Sequence, residues 1–414
     1  MILLEENKGK DDPSIPPLML QLRKIMRIAM YTDSFYPSIN GVSTAIVNLA
    51  TTLANAGHDI FIQAPRFPEE LDLSFLPANI EVHFVKSIPI KVYPDNRIGS
   101  GLPLSLQAIR RFKPDIIHIH TPASIGIEGT LIAKALRIPA VNTFHTYFMS
   151  EDIIRIVGIN NQQLLKLIQR GGWRFNASFC NRFDGLITPT NSVAEDLKKH
   201  GVNKPIFVAS NILDESVYAP RTDPPNNKLT KLLYVGRLSK EKRIDLTLYA
   251  LAELLKVDPD YELILIGDGP ERHRLFDLSV ELGIAQAVTW YGSVNHAKLI
   301  DEHLYHLGDI FVVSSKFETQ GLSTLEAMAH GLPVVAIRSD ANSEVIGQGG
   351  VVVPNWNDQE RLVKALAKAI ISINDNSQQP YHELAYQQAL KFSPSALLNT
   401  YTSIYQEVIE SSGK

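Results

Sequence analysis

Residues 309–337 read DIFVVSSKFETQGLSTLEAMAHGLPVVAI, and this stretch indicates the class of fold to which the chain belongs. The run DIFVVSS predicts a buried strand, STLEAMAH predicts a short helix that ends at Gly331, and PVVAI predicts a second strand. A strand, a helix and another strand in this order indicate a parallel sheet covered by helices.

The same alternation recurs along the rest of the chain. Short runs rich in β-branched residues, such as MRIAMYT, DIIHIHTP, KLLYVGR and YELILIGDG, predict further buried strands. Amphipathic stretches lie between them. In VSTAIVNLATTLANAGH, for example, Ile46, Leu49 and Leu53 share one helical face and Gly57 ends the helix. The sequence therefore predicts an α/β protein.

A segment rich in Pro, Asp and Asn interrupts the alternation and divides the chain. The predicted units are an N-terminal extension, a first domain, a linker, a second domain and a C-terminal amphipathic helix, at residues 1–25, 26–212, 213–229, 230–392 and 393–414. The extension is either a disordered segment or a stretch ahead of a start at Met26. Both domains are predicted to be doubly wound and Rossmann-like, and together they would face a central cleft.

Composition narrows the cellular setting and the partners. A single cysteine, Cys180, excludes an internal disulfide and fits a reducing compartment, and no apolar run reaches the ~18 residues of a membrane span. We therefore expect a cytoplasmic protein. Residues 26–212 carry 18 Lys and Arg against 14 Asp and Glu, whereas residues 213–414 carry 18 against 26. No basic stripe with interleaved aromatics is present, which argues against a nucleic-acid partner.

Polar clusters follow the predicted strands at their carboxyl ends. They are TDSFYPSINGVS, HIHTP and TFHTYF in the first domain and GRLSKEKR, GDGP and SKFETQG in the second. Doubly wound sheets bind their ligands beyond the carboxyl ends of the strands. The clusters therefore predict one shared crevice between the domains.

Two glutamates, Glu318 and Glu326, surround the start of the predicted helix in the opening stretch. One interpretation is a capping box, in which Glu326 bonds the backbone N–H of Ser323. The other is a sugar-nucleotide site. Gly321 would then expose free N–H groups to a diphosphate, Glu326 would accept from ribose hydroxyls, and Glu318 would lie near the sugar.

A diphosphate needs further positive charge, and GRLSKEKR supplies it. Arg237 directly follows a predicted strand beside Gly236, and Lys242 lies five residues further on. None of the polar clusters contains a D-x-D pair, a His/Cys cluster or a P-loop, so no metal is predicted to hold the phosphates. The GDGP segment is only a fragment of a dinucleotide fingerprint, and it is a weak indication of NAD binding.

Four positions in the first domain are candidates for the same site. Gly41 at the start of the first helix either lets the backbone approach a ligand or is an ordinary loop glycine. His145 ends a strand beside two aromatics and is either structural or functional. His118 and His120 alternate with isoleucines, so both should point to one face behind the reacting groups.

A basic row is predicted in LLKLIQRGGWRFNASFCNRF, residues 164–183. Lys166, Arg170 and Arg174 recur every four residues, so on a helix they share one slanting row. The row either rests on an anionic membrane surface or is the solvated face of a core-packed helix that breaks at Gly171-Gly172.

The segments GRLSKEKRIDLTLYAL, LILIGDGPER and FETQGLSTLEAMAHGLPVVA resemble the retaining glycosyltransferases of family 4, which have the GT-B fold. This resemblance implies that Arg237 and Lys242 bind the donor diphosphate and that Glu326 binds ribose. It also implies a last helix that crosses back to the first domain. The residues implied to surround the donor and acceptor are Gly41, His145, Glu318, Gly321 and Leu322, with Asn40, His120 and Tyr147 on the acceptor side.

Within the family, TDSFYPSINGVS together with ETQG most resembles the diacylglycerol α-glucosyltransferases. The resemblance implies transfer of a hexose from UDP-glucose to a lipid, without a cofactor or metal, at the inner membrane face. No carboxylate is placed as a covalent nucleophile, so front-face substitution with retention is expected. The segments SNILDE and EKR depart from the family pattern and leave the acceptor open. The alternatives are a soluble, phosphoinositide or polysaccharide acceptor with mannosyl or other hexosyl transfer, or a GT-B epimerase.

Overall fold

The computed structural model describes residues 25–38, 40–68, 71–90, 93–145, 161–221, 229–315, 318–375 and 380–413. Tyr147 and the predicted extension up to residue 24 lie outside these residues.

The first half of the chain forms a parallel sheet covered by helices. Its strands are β1 Arg27–Tyr31, β2 Asp59–Pro65, β3 Ile80–Val85, β4 Ser87–Ile90, β5 Tyr93–Gly99, β6 Ile116–Ile119, β7 Ala140–Thr143, β8 Gly185–Thr188 and β9 Ile206–Val208. Its helices are α1 Gly41–Asn55, α2 Leu104–Phe112, α3 Ser124–Leu136, α4 Gln162–Cys180 and α5 Asn191–Lys199. Seven strands pair in the order β3-β2-β1-β6-β7-β8-β9, and β4 and β5 form a separate antiparallel hairpin.

The second half repeats the same architecture. Its strands are β10 Thr230–Val235, β11 Tyr261–Ile266, β12 Val288–Gly292, β13 Ile310–Val313, β14 Val334–Ile337 and β15 Gly350–Val353. Its helices are α6 Ile244–Leu255, α7 Arg272–Glu281, α8 His296–Asp301, α9 Leu322–Ala329, α10 Asp340–Ile346, α11 Gln359–Asp375 and α12 Tyr381–Leu390, and α13 Pro394–Ser412 follows them. The parallel order β12-β11-β10-β13-β14-β15 confirms the predicted doubly wound fold.

Each sheet is buried on both faces, which explains the continuous apolar strands. In β1, Ile28 and Met30 belong to one buried cluster, whereas Ala29 and Tyr31 belong to the cluster on the opposite face. The last helix, α13, follows the second domain but contributes Tyr405 to the buried cluster of Ile28 and Met30. This helix therefore connects the end of the chain to the first domain.

The strand order reverses direction once in each sheet. In the first sheet, the chain leaves β1 toward β2 and later returns to β6 on the other side; β10 and β13 have the same relation in the second sheet. Loops diverge at such a point and leave a crevice, which is where ligands bind. The loops that follow these four strands carry most of the candidate site residues.

Candidate active site

The N-terminus of α9 has unused backbone donors. Gly321 begins the helix at φ +81°, and no side chain caps it. The first turn bonds Thr324 N and Leu325 N to Gly321 O, which leaves the amides of Leu322 and Ser323 without a partner among the described residues. Free N–H groups at the positive end of a helix favour an anion.

Glu326 is not the capping residue of α9, so the capping-box interpretation is wrong. Its carboxylate is buried, and it accepts hydrogen bonds from His296 Nε2 at 2.8 Å and from Tyr305 Oη at 2.6 Å. Burial alone would raise the pKa of Glu326, but the bonds from His296 and Tyr305 lower it. Burial would likewise lower the pKa of His296, and the bond to Glu326 raises it. The two side chains therefore favour the charged state of each other.

His296 and Tyr305 were missed by sequence reasoning. His296 begins α8 just after the carboxyl end of β12, at the same edge as the other polar clusters, and that position was the available signal. Tyr305 offers no such signal, since it is a fully buried residue in the second domain's core. The side chain of His296 is 32% exposed, whereas the Glu326 carboxylate that it bonds is buried. His296 is therefore the accessible residue among these three.

Lys242 and Glu318 form an ion pair at 2.6 Å. The same carboxylate oxygen accepts a hydrogen bond from Ser315 Oγ at 2.7 Å. Burial would lower the pKa of Lys242, but the neighbouring Glu318 raises it, so the ammonium stays charged. The structure thus joins the predicted phosphate ligand directly to the predicted sugar ligand.

Arg237 is exposed at the end of β10, and no hydrogen bond or ion pair engages its guanidinium within the described part of the chain. Its loop is fixed by Tyr234 Oη, which donates to the Arg237 carbonyl at 2.9 Å. The GDGP segment packs on this loop: a Cβ on Gly267 would lie 1.9 Å from the carbonyl oxygen of Gly236. The glycine is therefore explained by close backbone packing, not by a dinucleotide.

The N-terminus of α1 meets that of α9 across the cleft. A Cβ on Gly41 would lie 3.7 Å from Leu322 Cδ1, so the two helix ends are in contact distance. Asn40 caps α1, because its Oδ1 accepts from Val42 N and Ser43 N. That carboxamide has a structural use, and an acceptor contact for it stays a prediction. The two helix starts are therefore close, but the amides of Val42 and Ser43 are already bonded to Asn40, so the unused donors belong to α9.

Three histidines of the first domain, His118, His120 and His145, lie together, as their spacing predicted for His118 and His120. The rings of His118 and His120 lie 3.9 Å apart, and His120 Nδ1 lies 3.1 Å from His145 Nε2. Burial lowers the pKa of His118 to about 3 and that of His145 to about 4, and it lowers the pKa of His120 well below its ordinary value. All three rings are therefore neutral near pH 7.

His118 connects this group to the last helix. Its Nδ1 lies 2.8 Å from Tyr405 Oη of α13, and its Nε2 lies 2.6 Å from Thr143 Oγ1. These bonds fix the ring that packs under His120. The carboxyl-terminal helix thereby supports the group formed by His118, His120 and His145.

Helix α4 presents the basic row to solvent. Lys166, Arg170 and Arg174 are all exposed. The helix runs without interruption from Gln162 to Cys180, so the predicted break at Gly171-Gly172 is wrong. Gly172 is among the buried residues of this helix.

Among the described residues, none of the helices has both the length and the apolarity to cross a membrane. The same residues contain no group of three His, Cys, Asp or Glu side chains placed to hold a metal ion. Metal independence stays a prediction.

Known proteins share both the sequence pattern and the fold. The family model for Glycosyltransferase Family 4 matches residues 39–217, and that for Glycosyl transferases group 1 matches residues 220–387. An alpha-monoglucosyldiacylglycerol synthase of Streptococcus pneumoniae is 27% identical over 382 residues, which cover 87% of this chain and 82% of that protein. A GDP-mannose-dependent alpha-mannosyltransferase of Corynebacterium glutamicum is 26% identical over 349 residues, which cover 80% and 76%.

Among solved structures, the sucrose-phosphate synthase of Thermosynechococcus elongatus has a TM-score of 0.71 at 20% identity, over 93% of this chain and 100% of that one. The likeness confirms the GT-B arrangement. With each half of the sequence matched by its own family model, the chain belongs to the glycosyltransferases, with a family 4 domain ahead of a group 1 domain.

Proposed function

We propose that this glycosyltransferase moves a hexose, with glucose as the first candidate, from a uridine diphosphate sugar to a lipid such as diacylglycerol, with retention of configuration. The observation that carries the proposal is the uncapped N-terminus of α9, whose Leu322 and Ser323 amides have no partner among the described residues, next to the Lys242–Glu318 pair. A nucleoside diphosphate is an anion that such a site would hold. A sugar attached to its far phosphate would reach Glu318.

The chemistry follows from these charges. Breaking the bond between sugar and diphosphate develops negative charge on the leaving phosphate, and preorganised positive groups stabilise it. Arg237 and the free amides at the start of α9 supply that stabilisation, together with Lys242. Glu318 is held by Lys242 and Ser315 and would accept from sugar hydroxyls. The acceptor hydroxyl would enter on the face from which the diphosphate leaves and pass its proton to the departing phosphate.

His145 would act as a neutral hydrogen-bond partner of the sugar, since its pKa of about 4 keeps it uncharged at working pH. His120 holds it in place at 3.1 Å. A neutral imidazole carries no positive charge that would compete with the ammonium of Lys242 for the carboxylate of Glu318. The first domain would thus contribute orientation, while the second domain contributes charge.

Two exposed apolar surfaces support a lipid acceptor. On α4, Leu164, Leu167 and Phe175 are 45%, 66% and 50% exposed beside the basic row. On the same side of the first sheet, Leu104 of α2 and Leu131 of α3 are 64% and 53% exposed. Exposed apolar side chains next to basic ones fit an anionic membrane surface, to which each base contributes ~1 kcal/mol.

The experiment is a panel of radiolabelled UDP- and GDP-sugars offered with diacylglycerol in mixed micelles and with soluble sugars and polysaccharides. Transfer from UDP-glucose to the lipid, with an α-linked product from an α-linked donor, is the expected result. Transfer only from GDP-mannose would favour the second candidate, a mannosyltransferase, to which the relative from Corynebacterium glutamicum points. Transfer only to soluble acceptors would overturn the lipid assignment.

The membrane part of the proposal has its own measurement, which is sedimentation with vesicles containing anionic lipid at low and high salt. Changing Lys166, Arg170 and Arg174 to Glu should release the protein from the vesicles without lowering its melting temperature. A charge-matched control changes exposed lysines of the second domain, Lys256, Lys368 and Lys391, to Glu. Equal sedimentation of both variants would contradict the role of the basic row.

A further inference from the structure

Side chains of the second domain bond the backbone of the first domain at three points, which we name the cross-cleft seam. Thr319 Oγ1 donates to the carbonyl of His145 at 2.9 Å. Gln320 Oε1 accepts from Asn211 N at 2.9 Å. The third point is the carboxylate of Glu344 on α10, which accepts from two backbone amides at 2.8 Å each, those of Asn191 and Ser192.

Each bond of the seam has a fixed direction. The Asn211 amide can only donate, so it sets the orientation of the Gln320 carboxamide, which is 1% exposed. The two amides that donate to Glu344 belong to the first turn of α5. The carboxylate of the second domain therefore lies at the positive end of a helix in the first domain. The His145 carbonyl can only accept, so this bond needs a donor at position 319, and the hydroxyl of Thr319 supplies it.

The place of these residues in the chain gives the seam a consequence for the reaction. Thr319 and Gln320 lie between Glu318, the proposed sugar contact, and Gly321, where the anion-binding helix begins. Their partner His145 is the proposed sugar contact of the first domain. When the seam is formed, the donor loop and His145 are held at one separation.

We propose that Thr319 and Gln320 are positioning residues that align Glu318 with His145 in the closed cleft, and that Glu344 latches the two domains in that closed state. This inference rests on the proposed function. Formation of the seam orders two halves of the site, which the linker, α13 and the close approach of Gly41 to Leu322 also connect. Because a displacement of ~1 Å can cost ~100-fold in rate, alignment of this kind affects turnover more than ground-state binding.

The first test compares Thr319→Val, which keeps the shape and removes the hydroxyl, with Thr319→Ser, which keeps the hydroxyl. We expect kcat to fall by about tenfold or more in Thr319→Val and to be largely restored in Thr319→Ser. The Kd for UDP, measured by calorimetry, should stay within about twofold of the wild type in both, since no phosphate ligand is changed. Equal kcat in the two variants, or a loss of UDP affinity as large as the loss of kcat, would overturn the alignment role.

The second test measures closure without activity. Spin labels at exposed positions, introduced by Lys134→Cys in the first domain and Lys368→Cys in the second, report the interdomain distance in a Cys180→Ala background. Glu344→Ala should broaden and lengthen the distance distribution, and Glu344→Gln, which keeps an acceptor oxygen, should do so less. An unchanged distribution in Glu344→Ala would overturn the latch.

Failure of the seam and failure of the proposed function are distinguishable. If no sugar nucleotide is turned over by the wild type, the proposed function fails, but the distance measurement still tests Glu344. If Glu318→Ala abolishes transfer while Thr319→Val and Glu344→Ala change neither kcat nor the distances, the function stands and the seam is only domain packing.

Discussion

Replacing Glu318 by Ala should separate recognition of the sugar from recognition of the diphosphate. Among the described residues, the carboxylate of Glu318 pairs with the ammonium of Lys242 at 2.6 Å and accepts a hydrogen bond from Ser315 Oγ at 2.7 Å. Removing the carboxylate releases the ammonium of Lys242, which becomes free to contact a phosphate. We therefore expect UDP affinity to be kept or to rise, while transfer is lost.

The size of the effect follows from the exposure of the pair. A hydrogen bond to a charged group contributes ~1.5–3 kcal/mol, but Lys242 is 29% exposed, so solvent screening reduces the expected gain for UDP to ~1 kcal/mol, about fivefold in Kd. The sugar contact is made next to the reacting bond, so its loss should lower kcat by ~100-fold or more. Lys242→Ala should instead weaken binding of the intact sugar nucleotide by ~1.5–3 kcal/mol.

Calorimetry with UDP and with the intact sugar nucleotide, together with a transfer assay, measures both quantities. In the double variant Lys242→Ala/Glu318→Ala, the change in the free energy of UDP binding should differ from the sum of the changes in the two single variants, because Lys242 and Glu318 are in contact. Ser315→Ala is the matched control, since it removes one bond to Glu318 and leaves the ion pair. Loss of UDP binding in Glu318→Ala would refute the assignment of this carboxylate to the sugar.

Three further outcomes are expected. Arg237→Ala should weaken UDP binding by ~1.5–3 kcal/mol. A chelator should leave wild-type turnover unchanged, and strong inhibition by it would contradict the prediction that no metal is required. The pH profile of kcat/KM should show no ionisation of His145 between about pH 5 and 8, since its pKa is about 4, and a titration seen by NMR near 6.5 would be inconsistent with its burial. The pair of His296 and Glu326 should stabilise the fold most between about pH 4.5 and 6.5. The pKa of His296 is raised in the folded state, so its stabilisation of the fold is complete below pH 6.5 and is lost as pH rises through the raised pKa. The pKa of Glu326 is lowered, so its stabilisation is complete above pH 4.5 and is lost as pH falls through the lowered pKa. His296→Gln should flatten this dependence in urea unfolding across that range.

The fold could be predicted because its signals are local. Apolar runs of four to seven residues, as in β1 and β13, alternate with helical periods, and the reversal of strand order brings their polar ends together. The clusters around Arg237 and Glu318 were found for this reason. The partner of Glu326 was not found, because His296 lies 30 residues away and local spacing does not encode such a contact.

Two local predictions failed because tertiary contacts prevailed. Ser323 and Glu326 have capping-box spacing, but a buried carboxylate gains more from His296 and Tyr305 than from one exposed amide. Gly171-Gly172 lowers helix propensity, but α4 stays continuous because Gly172 packs against the domain. Both failures concern buried positions, Glu326 and Gly172, where contacts with the rest of the domain decide the conformation.

The site combines a charge pattern with a limited supply of free positive charge. Lys242 is already neutralised by Glu318, and His118, His120 and His145 are neutral, so we expect an incoming diphosphate to meet Arg237 and backbone amides first. Once sugar hydroxyls bond Glu318, its carboxylate is satisfied from a second direction and Lys242 can share its protons with the phosphate. A bare diphosphate offers no such hydroxyls. We therefore expect the Lys242–Glu318 pair to favour the intact donor over the released nucleotide, which is the discrimination that a transferase needs to discharge its product.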